Sequence, residues 1–173
     1  PVDVKSLIDV GCGKGIIGAI CCIYREAERI VGLEIFEPYL EFCERFGFYN
    51  ELYKYDLKKM PLPFRNKEFT VAACIEVIEH LPKREGVKLL SELERIAENV
   101  IVSTPNIFFR HKALDSNPFQ LHISKWTVRE FRKRGYKVRG VGDFCILGKL
   151  IPNLSFLLAK FTYRSPFFSS LLL

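Results

Sequence analysis

Through the first 104 residues, short apolar runs alternate with stretches of helical period. Residues 6–10 (SLIDV) form an apolar run that stops at glycines, the pattern of a strand buried on both faces. Residues 15–26 follow with helical spacing. Residues 29–34 (RIVGLE) predict a second strand, and 38–46 a helix with Pro38 in its first turn. A third strand is expected over 52–56. Met60-Pro61-Leu62-Pro63-Phe64 predicts a loop, because two prolines remove ladder donors. Residues 69–75 (FTVAACI) give a fourth strand. Residues 83–97 give an amphipathic helix with Val87, Leu89, Leu90, Leu93 and Ile96 on its apolar stripe. A fifth strand over 100–103 is closed by Thr104-Pro105-Asn106. Beyond it, 106–121 reads as a long loop, 127–134 as a helix stopped by Gly135, and 136–141 as a sixth strand. This alternation predicts a three-layer α/β fold, a mostly parallel sheet with helices on both faces. Right-handed crossovers then bring the strand carboxyl ends to one edge, where ligands bind.

Composition narrows the class. The 173 residues are 49% hydrophobic and 27% charged, as in one globular domain large enough to need no covalent staple. The six cysteines, at 12, 21, 22, 43, 74 and 145, form no Cys-x-x-Cys pair, and no signal-peptide pattern precedes them. We expect reduced core thiols in a cytoplasmic protein rather than disulfides or a zinc cluster. A start at Pro1 and an end in three leucines suggest a trimmed or processed chain. The net charge of +6 is uneven: residues 1–104 carry 14 Lys and Arg against 17 Asp and Glu, and residues 105–140 carry 9 against 2.

The first strand runs into Asp9-Val10-Gly11-Cys12-Gly13-Lys14-Gly15 and then a helix. Glycines let the backbone turn tightly and approach a ligand, and amides at a helix start receive a carboxylate or phosphate. Two readings compete here. Gly13, Gly15 and Gly18 fit the dinucleotide pattern Gly-x-Gly-x-x-Gly, but that pattern opens two residues late after the strand. Asp9 with Gly11-Cys12-Gly13-Lys14-Gly15 instead resembles motif I of class I (Rossmann-like) S-adenosylmethionine-dependent methyltransferases.

Further matches follow along the expected sheet edge. Glu34, with Ile35 beside it, ends the second strand, where an acceptor takes ribose hydroxyls; both cofactor classes need this. Asp56, expected to end the third strand, and Leu57 resemble the pair that meets adenine in these methyltransferases. Glu76-Val77-Ile78-Glu79-His80 resembles the Glu-x-x-Glu-His found beside the methionine end of the cofactor. The resemblance is to type 11/23-like members and covers about residues 5–140. It implies S-adenosylmethionine held by Asp9, Gly11, Cys12, Gly13, Gly15, Glu34, Ile35, Asp56, Leu57 and Glu76, with His80 and Glu79 as catalytic candidates.

Two subgroups add a metal. The small-RNA 3′-terminal 2′-O-methyltransferases and the ubiquinone-pathway O-methyltransferases combine this cluster with a further histidine. Ile101-Val102-Ser103-Thr104-Pro105-Asn106 and His122, four residues before Trp126-Thr127, are similar to the RNA group. The resemblance therefore implies a divalent-metal set of Glu76, Glu79, His80 and His122, whose oxygen and nitrogen donors suit manganese, iron, cobalt or zinc. A simpler reading leaves His80 as a base or a brace with no metal.

The basic stretch (Lys125, Arg129, Arg132, Lys133, Arg134, Lys137, Arg139) suits phosphates of RNA or a lipid head group. Residues 144–173 are apolar, carry only Lys149, Lys160 and Arg164 as charges, and are read as a segment of the same domain: pocket cover, edge strand or interface. Their longest uncharged run, 150–159, is too short for a bilayer span of about 20 residues, though it suits a membrane surface. Residues 167–173 are the candidate for a seventh, antiparallel edge strand. The expected function is methyl transfer from S-adenosylmethionine to an oxygen or nitrogen of an unidentified acceptor, anionic or lipid-linked. The alternatives are an NAD-dependent oxidoreductase and a non-catalytic methyltransferase-like subunit.

Overall fold

The computed structural model describes residues 3–24, 27–106, 114–144 and 169–172. Five parallel strands are interleaved with helices: β1 (Ser6–Val10), α1 (Ile16–Tyr24), β2 (Arg29–Glu34), α2 (Glu37–Phe46), β3 (Glu51–Lys54), β4 (Phe69–Ile75), α3 (Lys83–Ile96) and β5 (Ala97–Pro105). They are followed by α4 (Val128–Lys133), β6 (Gly140–Phe144) and β7 (Ser169–Leu172). The sheet order is β3-β2-β1-β4-β5-β7-β6, with only β7 running antiparallel to its neighbours among the described strands. The chain leaves β1 in one direction across the sheet to β2 and β3, then returns to β4 on its other side. This reversal opens a crevice above β1 and β4.

The buried strands follow their sequence. β1 and β4 are mainly apolar, as strands covered on both faces are, with Ile8, Val10, Ala72 and Cys74 at zero exposure and Asp9 the buried exception. α3 buries Leu89, Leu90, Leu93 and Ile96 against the sheet, and Gly86 admits Trp126: a Cβ there lies 2.5 Å from the indole. α2 stops where Gly47 takes the left-handed conformation and donates its N–H to Cys43 and Glu44. Thr127 and Glu130 form a reciprocal capping box on α4.

Several expected boundaries move. β3 ends at Lys54, so Asp56 lies two residues beyond it, at the start of a turn closed by Lys59 N–H donating to the Asp56 carbonyl. Val87 is exposed and does not belong to the α3 stripe. β5 runs on through Pro105. Residues 136–139 are not a strand: Tyr136 and Val138 alternate into the core, but pairing begins only at Gly140. Alternation there marks the core-facing side and not a ladder. The seventh strand forms as β7, yet it lies between β5 and β6 and leaves β6 at the edge. Of the apolar segment 144–173, residues 145–168 and 173 lie outside the described residues, as do 25–26 of the expected first helix and 107–113 of the expected loop.

Candidate active site

One cavity of about 460 Å³ opens at the carboxyl edge of the parallel strands. Asp9, Gly11, Cys12, Gly13, Glu34, Ile35, Asp56, Leu57, Glu76 and His80 line it, so residues from four separate stretches of the chain meet there. Gly15 does not line it; the residue is buried, and a Cβ there lies 2.9 Å from Cys43 Sγ and from the Phe48 ring. Glu79 and His122 sit behind the wall, both buried.

The glycine turn is held by β2. Gly11 and Cys12 donate their N–H groups to the Leu33 carbonyl at 2.8 and 2.9 Å. Gly11 has φ +74°, and a Cβ on it lies 2.6 Å from Val77, so no other residue fits. Gly13, with φ +54°, has nothing within 4 Å of such a Cβ and leaves the backbone open to the groove. The Glu34 carboxylate accepts from the N–H of Gly13 at 2.9 Å through Oε2, and from those of Ile35 and Phe36 at 2.8 Å through Oε1. Three backbone donors fix one side chain at the end of β2, and it bridges to the turn after β1.

Asp9 is 2% exposed, and the Tyr49 hydroxyl donates to its Oδ2 at 2.7 Å. Burial raises its carboxyl to about 7, against the Tyr49 hydrogen bond, with the Glu34 charge adding to the rise. The Asp56 Oδ1 accepts from Lys58 N–H at 2.9 Å, an Asx turn that aims the carboxyl along the groove wall.

At the other end, Glu76 has φ +56°, a strained conformation for a non-glycine residue at the end of β4. Ser103 donates its hydroxyl to Glu76 Oε1 at 2.8 Å, and burial raises the Glu76 carboxyl. Thr104 donates to Glu79 Oε2 at 2.9 Å. Burial raises Glu79 to about 8, with the Glu76 charge adding to it. Glu79 Oε1 is buried without a hydrogen-bond partner, and His122 Nε2 stands 4.0 Å from it. The His80 and His122 rings meet edge to face at 5.0 Å between centroids. One ligand atom each from Glu79, His80 and His122 falls within 4.8 Å of the others; Glu76 is not part of this trio.

Several lining residues carry no local motif. Residues 117–121 and 123 roof the groove. Lys14 pairs with Asp115 at 2.6 Å, the Tyr39 hydroxyl donates to the same carboxylate at 2.8 Å, and Gln120 donates to Tyr39 at 3.1 Å. These bonds tie the roof to the glycine turn and to α2. Tyr49 also escaped sequence reasoning. Its signal is indirect: Gly18 and Gly32 sit inside a helix and a strand, where glycine weakens the element unless something packs close. The basic stretch is largely exposed around α4, with Arg134 engaged to Glu94 at 2.6 Å. Of the cysteines, 12, 21, 43 and 74 are buried and Cys22 is exposed; Cys145 lies outside the described residues.

A doubly wound sheet, a glycine turn and acidic strand ends around one groove define a nucleoside-cofactor enzyme. Residues 8–99, more than half of the chain, match the methyltransferase domain family, and the chain belongs to it: it is a class I S-adenosylmethionine-dependent methyltransferase. The dehydrogenase and non-catalytic alternatives are set aside. Solved structures agree in fold. The methyltransferase domain of a bacterial Hen1 protein, CtHen1, is 26% identical, with 99% of this chain and 89% of that one covered and a TM-score of 0.61. A SAM-dependent methyltransferase from Archaeoglobus fulgidus is 16% identical, with 99% and 86% covered and a TM-score of 0.63. The YcgJ protein of Bacillus subtilis is 14% identical at a TM-score of 0.53, with 76% of this chain covered; the match spans 59% of that protein's own length. No curated protein matches the sequence.

Proposed function

We propose that S-adenosylmethionine lies along the groove with its methionine end over residues 9–15, its ribose hydroxyls at Glu34, and its adenine between Ile35, Asp56 and Leu57. The observation that carries this pose is that Asp9, Gly13, Glu34, Asp56 and Glu76 line one cavity at the strand carboxyl ends. The residues suit the group: Gly13 leaves open backbone, Glu34 is a pre-positioned acceptor, and the volume falls within the range of cofactor pockets. When bound, this cofactor supplies a methyl carbon on a sulfonium, so orientation and water exclusion provide most of the acceleration. Gly11 and Cys12 support the turn from below, and Gly15 shapes it from behind. His80, on the groove wall, accepts the proton that a hydroxyl or amine acceptor loses, and Glu79 with His122 braces it. Titration calorimetry with S-adenosylmethionine and with NAD tests the pose. Binding of the first and not the second is expected; NAD binding alone overturns it.

A second reading is favoured by Glu79 Oε1, a buried oxygen with no hydrogen-bond partner facing two imidazoles. Glu79, His80 and His122 would hold a divalent cation, with Glu76 adjacent, and the ion would acidify an acceptor hydroxyl. Titration of metal-free protein with manganese gives one site per chain that His122→Ala removes; no uptake leaves His80 as base alone.

The acceptor presents an oxygen or nitrogen. RNA is one candidate, on the resemblance of residues 101–106 and of His122 with Trp126-Thr127 to the small-RNA methyltransferases and on the exposed basic residues around α4. An anionic or lipid-linked molecule met at a membrane surface is the other, on the apolar composition of 144–173. No helix among the described residues is long and apolar enough to cross a membrane. The free thiols favour a cytoplasmic setting.

A further inference from the structure

The structure places an unassigned tyrosine directly beneath the groove. Tyr49, between α2 and β3, is half-buried, and its ring is enclosed by three glycines from three different elements. A Cβ on Gly18 of α1 lies 2.6 Å from Tyr49 Cζ, one on Gly32 of β2 lies 3.1 Å from Cδ1, and one on Gly15 of the turn lies 3.2 Å from Cε2. Gly15 has φ +77°, so its backbone alone accounts for it. Gly18 and Gly32 have ordinary helix and strand backbones; at Gly18 the ring alone occupies the space a Cβ would need, and at Gly32 the ring shares it with Leu52, 2.7 Å from such a Cβ, and Cys12. This space lets the hydroxyl reach Asp9 Oδ2 at 2.7 Å. Asp9 itself lines the groove.

We infer that Tyr49 is a positioning residue for the cofactor, acting through Asp9: its hydroxyl holds the Asp9 carboxylate, ionised, against the positively charged methionine end of S-adenosylmethionine. The inference rests on the pose proposed above. A hydroxyl that donates to a carboxylate favours the charged form, whereas burial opposes it. Around Asp9 stand Glu34 on β2, Cys12 in the turn, Cys43 on α2 and Cys74 on β4, besides Tyr49. Glu34 disfavours a second negative charge, and burial raises all three thiols, Cys43 to about 11, so they stay neutral near pH 7. Tyr49 is thus the group that pulls Asp9 towards ionisation, against burial and Glu34. Since burial places Asp9 at about 7, cofactor binding near that pH is coupled to release of a proton.

The test is calorimetric titration of the full chain with S-adenosylmethionine from pH 6 to 9. For the wild type, affinity rises with pH through about 7, and buffers of different ionisation enthalpy report a proton released near pH 6.5. For Tyr49→Phe, we expect affinity about fivefold lower at pH 7 and nearly tenfold lower at pH 6, converging to within about twofold at pH 9, because the Asp9 midpoint moves up by about one unit. Asp9→Asn binds weakly and without the pH dependence, which keeps the proposal decidable if Tyr49→Phe fails to fold. A constant ratio of Tyr49→Phe to wild type at every pH marks a merely structural tyrosine and overturns the inference. So does a wild type that releases no proton. Wild-type protein that does not bind S-adenosylmethionine at all defeats the underlying pose instead.

Discussion

The two ends of the groove are built differently. At the β1–β3 end, the main polar group, Glu34, is committed to backbone: its carboxylate accepts three N–H bonds within one turn of chain and across to the glycine loop. At the β4–β5 end, Glu76 and Glu79 lean on side-chain hydroxyls of Ser103 and Thr104, burial raises both, and one Glu79 oxygen has no hydrogen-bond partner. A carboxylate fixed by backbone donors keeps its place whether or not a ligand is present. Two buried carboxyls held by hydroxyls form a site that gains from a proton, a cation or an acceptor group. On the proposed pose, the first end meets the constant ligand and the second the reacting one.

That contrast can be broken experimentally. The largest effect is expected at Glu34, where an alanine removes the proposed ribose acceptor and also releases three backbone donors. Calorimetry on Glu34→Ala should show S-adenosylmethionine affinity down about 100-fold, on the order of 2.7 kcal/mol; a loss under threefold removes Glu34 from the cofactor site.

Next comes Glu79. Its carboxyl, raised to about 8, keeps a proton in the folded chain across a window where the unfolded chain has lost it. Stability conferred by that protonation is present at low pH and declines as pH climbs from about 4.5 through 8. Glu79→Gln abolishes the decline, so thermal melts in chelator should show the variant more stable than wild type by about 1–3 kcal/mol at pH 8.5 and nearly equal at pH 5. Parallel pH curves for the two proteins contradict the assignment of Glu79 as a buried acid with a raised carboxyl.

The smallest effect is expected at Asp56, which is half-exposed and already engaged by Lys58 N–H. Asp56→Ala should weaken cofactor binding only about three- to fivefold by the same titration. A loss as large as that at Glu34 means the adenine end is as firmly built as the ribose end.

Much of this arrangement is written locally in the chain. SLIDV followed by three glycines can only leave a buried strand through a tight turn, and Glu34 at the end of RIVGLE falls on the same edge. The same is true of Glu76, one residue past FTVAACI. What sequence reading loses is contact between distant elements. Tyr49 matters because Gly15, Gly18 and Gly32 converge on its ring. The roof over the groove depends on Lys14 and Tyr39 meeting Asp115, which lies 101 and 76 residues further along the chain, respectively. Residues 136–139 alternate like a strand because one side packs on the core, which leaves pairing undetermined. Asp56 lies past the strand end: Tyr55 N–H makes a last bond to the Glu34 carbonyl, and the chain then turns at Asp56, a change of direction that no apolar pattern marks.

The most direct measurement is a crystal structure with S-adenosylhomocysteine soaked into the full chain. We predict the ribose hydroxyls on Glu34, the amino-acid tail over the turn between Asp9 and Gly15, and adenine beside Leu57. A nucleoside bound elsewhere, or lying in the groove with its two ends exchanged, contradicts the account.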